Sequence, residues 1–175
     1  MFNTFIKYVL IISFSTIIYS QEKKQFPNDF FGIYKGKLEI SNPNGSQSID
    51  MEFHLLPSDT VGKYHYTIVY KSDKINQERK YTLIEKDKTK GQYIVDENNG
   101  ILLNAFLANN TLYSIFEVEG SLLTTTEHFY KEYLDFEIMY SKKDLATKSN
   151  EDSDNKTEVI SYPIGAVQKA RLYKH

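Results

Sequence analysis

The chain has 175 residues, 41% of them hydrophobic and 25% charged, with 21 basic against 23 acidic side chains and a formal net charge of -2. That balance describes a globular domain rather than a disordered or collagenous chain, and it offers no broad basic field for a phosphate backbone, so nucleic acid is not expected as a partner. There is no cysteine, which excludes disulfides, thiolate zinc sites, a cysteine nucleophile and a lipidated N-terminal cysteine.

Residues 1–20 read as a separate segment. Lys7 is their only charge, Tyr8 to Ile18 are mostly apolar, and Ser20 precedes the charged stretch Gln21 to Lys24. A basic start, a short apolar middle and a small residue at the exit are the pattern of a secretory signal, with cleavage expected after Ser20. The apolar run is shorter than the roughly 20 residues a membrane helix needs, so no stable span is expected after cleavage. The expected product is exported, periplasmic or secreted, and bacterial in composition. Residues 21–31 form an N-terminal segment, and residues 32–175 one domain large enough for its own core.

From Gly32 onward the hydrophobic pattern has period two. Tyr34, Gly36, Leu38 and Ile40 alternate with Lys35, Lys37 and Glu39; after the turn Asn42 to Gly45, Ile49, Met51, Phe53 and Leu55 alternate with Asp50, Glu52 and His54. Lys63 to Tyr70 continues the pattern beyond a hairpin at Pro57 to Gly62, with Tyr64, Tyr66, Ile68 and Tyr70 on one side. Antiparallel partners must share a face. Pairing Phe53 with Tyr66 satisfies this, since Leu55 then meets Tyr64 and Met51 meets Ile68.

Gln77 to Glu85 places Arg79, Tyr81 and Leu83 on one face, and Tyr93 to Asp96 is a short strand. Two-residue turns at Asn109–Asn110, Glu119–Gly120 and Lys131–Glu132 then fix four strands in succession. They set Leu107 against Leu112, Ser114 against Thr125, Phe116 against Leu123, and Glu127 against both Leu112 and Phe136. Residues 142–157 are polar and are expected as a surface loop. Strand character resumes at Glu158 to Tyr162 and at Ala166 to Tyr173. The expected fold is all-β, an antiparallel up-and-down barrel of about 8–10 strands, closed so that no edge is left exposed.

This pattern resembles the calycin superfamily, the lipocalins and fatty-acid-binding proteins, whose meander barrels bind small apolar molecules. Gly32, Ile33 and Tyr34 form a Gly-x-Tyr version of the lipocalin Gly-x-Trp motif, and the resemblance implies that Arg171, in the last strand, packs across Tyr34. It also implies an interior ligand.

With 14 Tyr and 11 Phe, the inner face is rich in rings. The expected ligand-binding residues are Met51, Phe53, Tyr64, Tyr66, Arg79, Tyr81, Phe116 and Glu127, a lining suited to an apolar or aromatic molecule with a hydrogen-bonding end. The same rings could instead fill the barrel. Arg79 and Glu127 on an inner face need partners, either each other or a ligand. No cofactor is expected. His54 and His65 fall opposite each other in this register, but on the outer face without a third ligand, so no metal site is expected. Asp96 and Glu97 point to opposite faces and belong to a turn rather than to a catalytic pair. No nucleophile elbow, zinc-protease helix or phosphate loop is present, and catalysis is not expected.

The outer face carries Leu102, Phe106, Tyr113 and Ile115, with Leu122 beside them, an apolar patch that suits a protein partner or a second copy. The alternative function is therefore an exported interaction module with a filled barrel.

Overall fold

The structure, a computed structural model, describes residues 25–74, 76–151 and 157–175. The expected signal segment and its cleavage point lie outside these residues. Ten strands form a closed antiparallel barrel: β1 (Gly32–Asn42), β2 (Gly45–Pro57), β3 (Lys63–Lys71), β4 (Asn76–Asp87), β5 (Gln92–Asp96), β6 (Leu102–Ala108), β7 (Thr111–Val118), β8 (Ser121–Phe129), β9 (Tyr133–Lys142) and β12 (Ala166–Lys174). Each pairs with its neighbour in sequence, and β12 returns to pair with both β9 and β1. Closure leaves no barrel strand with an unpaired edge. At the β1–β12 seam the backbones run close together, because a Cβ at Gly36 would stand 2.6 Å from the carbonyl oxygen of Arg171.

The tight turns set the register. Asn109 and Asn110 both have positive φ (48° and 60°), as do Glu119 and Gly120 (48° and 75°). This is the backbone whose twist matches a two-residue hairpin. Ser114 accordingly faces Thr125, Phe116 faces Leu123, and Glu127 faces Leu112 and Phe136. The β3–β4 pairing sets Tyr66 against Tyr81 and Ile68 against Arg79.

The β2–β3 hairpin departs from the sequence expectation by two residues. Phe53 pairs with Ile68, Leu55 with Tyr66 and Met51 with Tyr70. The faces are unchanged, since a shift of two preserves side-chain direction. The cause lies in the connection, where Lys63 donates its N–H to Thr60 and Ser58 Oγ reaches the Lys63 carbonyl at 2.8 Å. The shift also separates the two histidines, so that His54 lies opposite Thr67 and His65 opposite Leu56. His54 Nε2 is instead 2.9 Å from Glu52.

A second correction concerns residues 142–157. Lys142 ends β9, a single 3-10 turn covers Lys143–Leu145, and β10 (Thr147–Asn150) pairs with β11 (Glu158–Ser161) as a separate two-stranded ribbon. A Lys148–Glu158 ion pair at 3.0 Å crosses it. The third concerns Arg171, which stacks over Tyr133 with its carbon 4.4 Å from the ring centroid and pairs with Asp135 at 2.8 Å. Lys174, three residues on, is the cation near Tyr34, at 5.9 Å from its ring. Arg171 falls on the outer face, whereas Lys174 is the register partner of Tyr34.

The core fills one end and the middle of the barrel. Tyr34, Leu38, Met51, Phe53, Leu55, Leu83, Leu112, Phe129, Leu134 and Leu172 are all buried. Each such side chain contributes about 1.5–3 kcal/mol by leaving water. Residues before β1 seal this end: Phe26 and Phe30 pack on Phe129 with ring centroids 5.2 and 5.7 Å away, and Tyr34 donates its hydroxyl to the Phe30 carbonyl at 2.5 Å. No described helix is long and apolar enough to cross a membrane.

Candidate functional site

The opposite end of the barrel is not fully packed. Ser114 on β7 and Thr125 on β8 are direct partners on the inner face. Two small side chains at this pair leave space that larger ones would fill. The resulting cavity, about 70 Å³, is lined among others by Tyr66, Tyr70, Arg79, Tyr81, Glu97, Phe116 and Glu127.

Glu127 lies deepest of the charged groups and is only 1% exposed. Its neighbours along β8 explain its position, since period two brings Thr125, Glu127 and Phe129 to the inner face. Tyr66 donates its hydroxyl to Glu127 Oε1 at 3.2 Å. This is longer than a bond to a charged carboxylate, which runs about 2.5–2.7 Å. Burial pushes the Glu127 carboxyl up to about 8, against the lowering effect of hydrogen bonds from Tyr66 and Thr125. Among the described residues no cationic side chain pairs with it.

The tyrosines are shifted in the same direction. Burial holds the Tyr66 phenol well above its usual value, and proximity to Glu127 adds to this. Tyr70 is pushed up to about 12 by burial, which outweighs the opposing pull of Arg79. Tyr81 is raised by burial too, with Arg79 again opposing and Glu97 reinforcing. All of these phenols are therefore neutral donors at neutral pH. Tyr66 stacks on Tyr81 at 6.2 Å and meets Phe53 edge-on at 4.8 Å.

Arg79 stands at the rim, exposed, with its guanidinium carbon 5.4 Å from the Tyr70 ring centroid and Nη2 3.3 Å from Gln77. Tyr70 thus lies between the cation at the rim and the carboxyl within. The Arg79–Glu127 ion pair that the sequence left open does not form.

Of the eight expected ligand-binding residues, the cavity brings together Tyr66, Arg79, Tyr81, Phe116 and Glu127. Met51 and Phe53 are fully packed in the core instead. Tyr64 is at the sealed end, where its ring meets Phe31 at 5.8 Å and its hydroxyl lies 3.4 Å from Glu85. Tyr70 and Glu97 are among the lining residues absent from the expected set. Tyr70 shares its strand face with Tyr66 and Ile68, so alternation alone could have included it. Glu97 sits in the turn after β5, and no periodic signal marks it. Asp96 beside it accepts the Asn98 N–H at 2.8 Å, as a turn residue does.

A second concavity lies on the outer surface. Leu102, Phe106, Tyr113 and Ile115 are all exposed, between 45% and 67%. Phe106 faces Tyr113 across β6–β7, and Ile115 faces Thr124 across β7–β8. Phe106, Tyr113 and Ile115, with Gln92, Asn104, Thr126 and Met139, line an open groove of about 630 Å³, and Leu102 stands outside its lining. Leu122, expected beside this patch, is half-buried. Among the described residues no group of three or more His, Asp or Glu side chains is arranged to hold a metal ion.

No protein-family model matches the chain, and no curated protein matches its sequence.

Proposed function

We propose that this chain is an exported barrel of the calycin type that binds a small amphipathic ligand at its open end, with the ligand's polar group inside the cavity and its apolar or aromatic part at the rim. The kinship with calycins rests on topology: a meander of antiparallel strands closed by the last upon the first. The observation that carries the ligand reading is Glu127, a buried carboxyl without a cationic partner in an aromatic-lined cavity. Burying such a group is costly unless something compensates it, and sites of this kind are where ligands bind. The cavity has room for about five water-sized groups, taking roughly 10–15 Å³ for each. That suits a head group and its first carbons, while the bulk of a larger ligand would extend past Phe116 and Arg79. Hydroxyls from three tyrosines, Ser114 and Thr125 favour recognition by hydrogen bonding.

Native purification followed by denaturing extraction and mass spectrometry tests this reading. A stoichiometric small molecule is expected, together with a mature chain beginning at Gln21. Added ligand should quench tyrosine fluorescence, and Arg79→Leu should weaken ligands with an anionic outer end far more than neutral ones. An empty extract and no quenching by any amphipathic probe would remove the carrier reading.

The second reading is an exported interaction module that uses the outer face. The exposed row Leu102, Phe106, Tyr113 and Ile115 favours it. It would show itself as a stable oligomer or a co-purifying protein.

A further inference from the structure

We propose that the inner end of the mouth cavity takes a small organic cation, a primary or methylated ammonium, held between the carboxylate of Glu127 and the faces of Tyr66, Tyr70 and Tyr81. The inference rests on the ligand-binding reading and names the chemistry of the ligand's buried end.

The charge pattern points inward. Glu127 is 1% exposed and borders the cavity. The groups facing it are Tyr66 and Tyr70 from β3, Tyr81 and Arg79 from β4, and Glu97 after β5. The linings from β6, β7 and β9 are apolar or neutral: Leu103, Ser114, Phe116, Phe136 and Ile138. Arg79 is turned to the rim, occupied with Gln77 and the Tyr70 ring. An anionic head at the inner end of the cavity would meet the Glu127 carboxyl, with hydroxyls beside it and the Arg79 cation out at the rim. A cationic head would meet a matched charge.

The walls support the same sign. Aromatic faces attract cations through their quadrupoles, most strongly where water is excluded. The protein already uses one of these faces in this way, since the Arg79 guanidinium lies over Tyr70 at 5.4 Å. Tyr66 and Tyr81, stacked at 6.2 Å, supply further ring surface alongside. A volume near 70 Å³ admits an ammonium and a few carbons. Arg79 at the rim then favours ligands whose outer part is neutral or anionic over those with a second positive charge.

Occupancy carries a proton balance. In the empty site the Glu127 carboxyl holds its proton to about pH 8, whereas an alkylammonium keeps its own to around pH 10. Seating the cation therefore expels one proton from Glu127 to solvent below pH 8, and affinity rises with pH until that point.

The test is calorimetric titration of the full mature protein with butylamine and benzylamine, and with the matched alcohols and carboxylates. Titrations are run at pH 6.5 and 8.5 in buffers of differing ionisation enthalpy. The amines are expected to bind at least tenfold more tightly than the alcohols or carboxylates, releasing about one proton at pH 6.5 and about a quarter of one at pH 8.5. Glu127→Gln, checked for folding by circular dichroism, should reduce amine affinity at least tenfold at pH 8.5 and abolish the proton release. The proton count on the unaltered protein stands if that variant does not fold. Tighter binding of an alcohol or carboxylate than of the amine would overturn the cation assignment and leave the ligand-binding reading in place. Amine binding without proton release at pH 6.5 would also overturn it. Failure of all three classes, together with an empty native extract, would remove both.

Discussion

Tyr66 and Glu127 are 61 positions apart in the chain, yet the Tyr66 hydroxyl donates to the Glu127 carboxyl at 3.2 Å inside the barrel. The contact crosses the barrel interior from β3 to β8, which are not neighbours in the sheet. It places a neutral donor against a group that burial keeps protonated.

That protonation has a consequence for stability. Glu127 titrates near its ordinary 4.5 when unfolded and at about 8 when folded. The folded state thus binds more protons between these values, and stability falls as pH rises from about 4.5 to 8, then levels off. Glu127→Gln should remove this slope. In chemical denaturation across pH 4 to 9, the variant is expected to gain a few kcal/mol over the parent at pH 8 and little at pH 4. Parallel curves for the two proteins would show that Glu127 is already ionised in the fold.

Tyr93 offers a different kind of test. Its hydroxyl is buried with no hydrogen-bond partner among the described residues, while its ring packs edge-on against Phe26 at 5.4 Å. Burial raises its phenol to about 12. An unsatisfied buried hydroxyl costs about 1–3 kcal/mol, so Tyr93→Phe keeps the packing and removes the penalty. Thermal unfolding should show an equal or higher Tm. A marked loss of stability would mean that the hydroxyl has a partner.

Neighbouring residues on β2 separate the two faces. Phe53→Asp puts a charge in the packed interior and should cost about 4 kcal/mol or more. Glu52 faces outward, but it bridges Lys71 at 2.9 Å, His54 at 2.9 Å and Lys35 at 3.7 Å. Hydrogen bonds from Lys71 and His54 hold its carboxyl at about 2, below its ordinary 4.5. Its contribution is complete above about pH 4.5 and is lost as pH falls toward 2. Glu52→Gln should therefore cost about 1 kcal/mol at pH 7 and nothing at pH 2, as read from urea midpoints.

The outer groove is testable by size. If Phe106 and Ile115 form an interface, the parent protein should elute above its monomer mass in gel filtration, and the double variant Phe106→Ser, Ile115→Ser should elute as a monomer with unchanged Tm. Both side chains are more than half exposed, so their loss should cost the isolated fold little. Identical monomeric elution for both proteins would rule out self-association through this face.

Much of the barrel is legible in the chain because alternation is a local property. One face of each strand must leave water, and period two identifies which side chains go with it. Tyr66, Arg79, Tyr81 and Glu127 could thus be assigned to one surface before any pairing was known. The two-residue turns at Asn109–Asn110 and Glu119–Gly120 also fixed register, since they allow a single pairing. The five-residue connection Ser58–Gly62 does not. Parity confines its register to steps of two, and only the Ser58, Thr60 and Lys63 hydrogen bonds select the step that joins Phe53 to Ile68. β10 escaped for a related reason, as its four residues are all exposed and polar and leave no period to read, whereas its partner β11 falls within the strand expected at Glu158 to Tyr162.

Residues on one face can lie in different layers, and the difference between core and site is one of depth along the barrel. The sequence by itself determined that Met51, Phe53 and Glu127 point inward. Closure of β12 on β1, sealing by Phe26 and Phe30, and the small pair Ser114–Thr125 decided that the first two are packed and the third borders a cavity. Those outcomes depend on which atoms meet across strands distant in the chain, and alternation carries no information about volume.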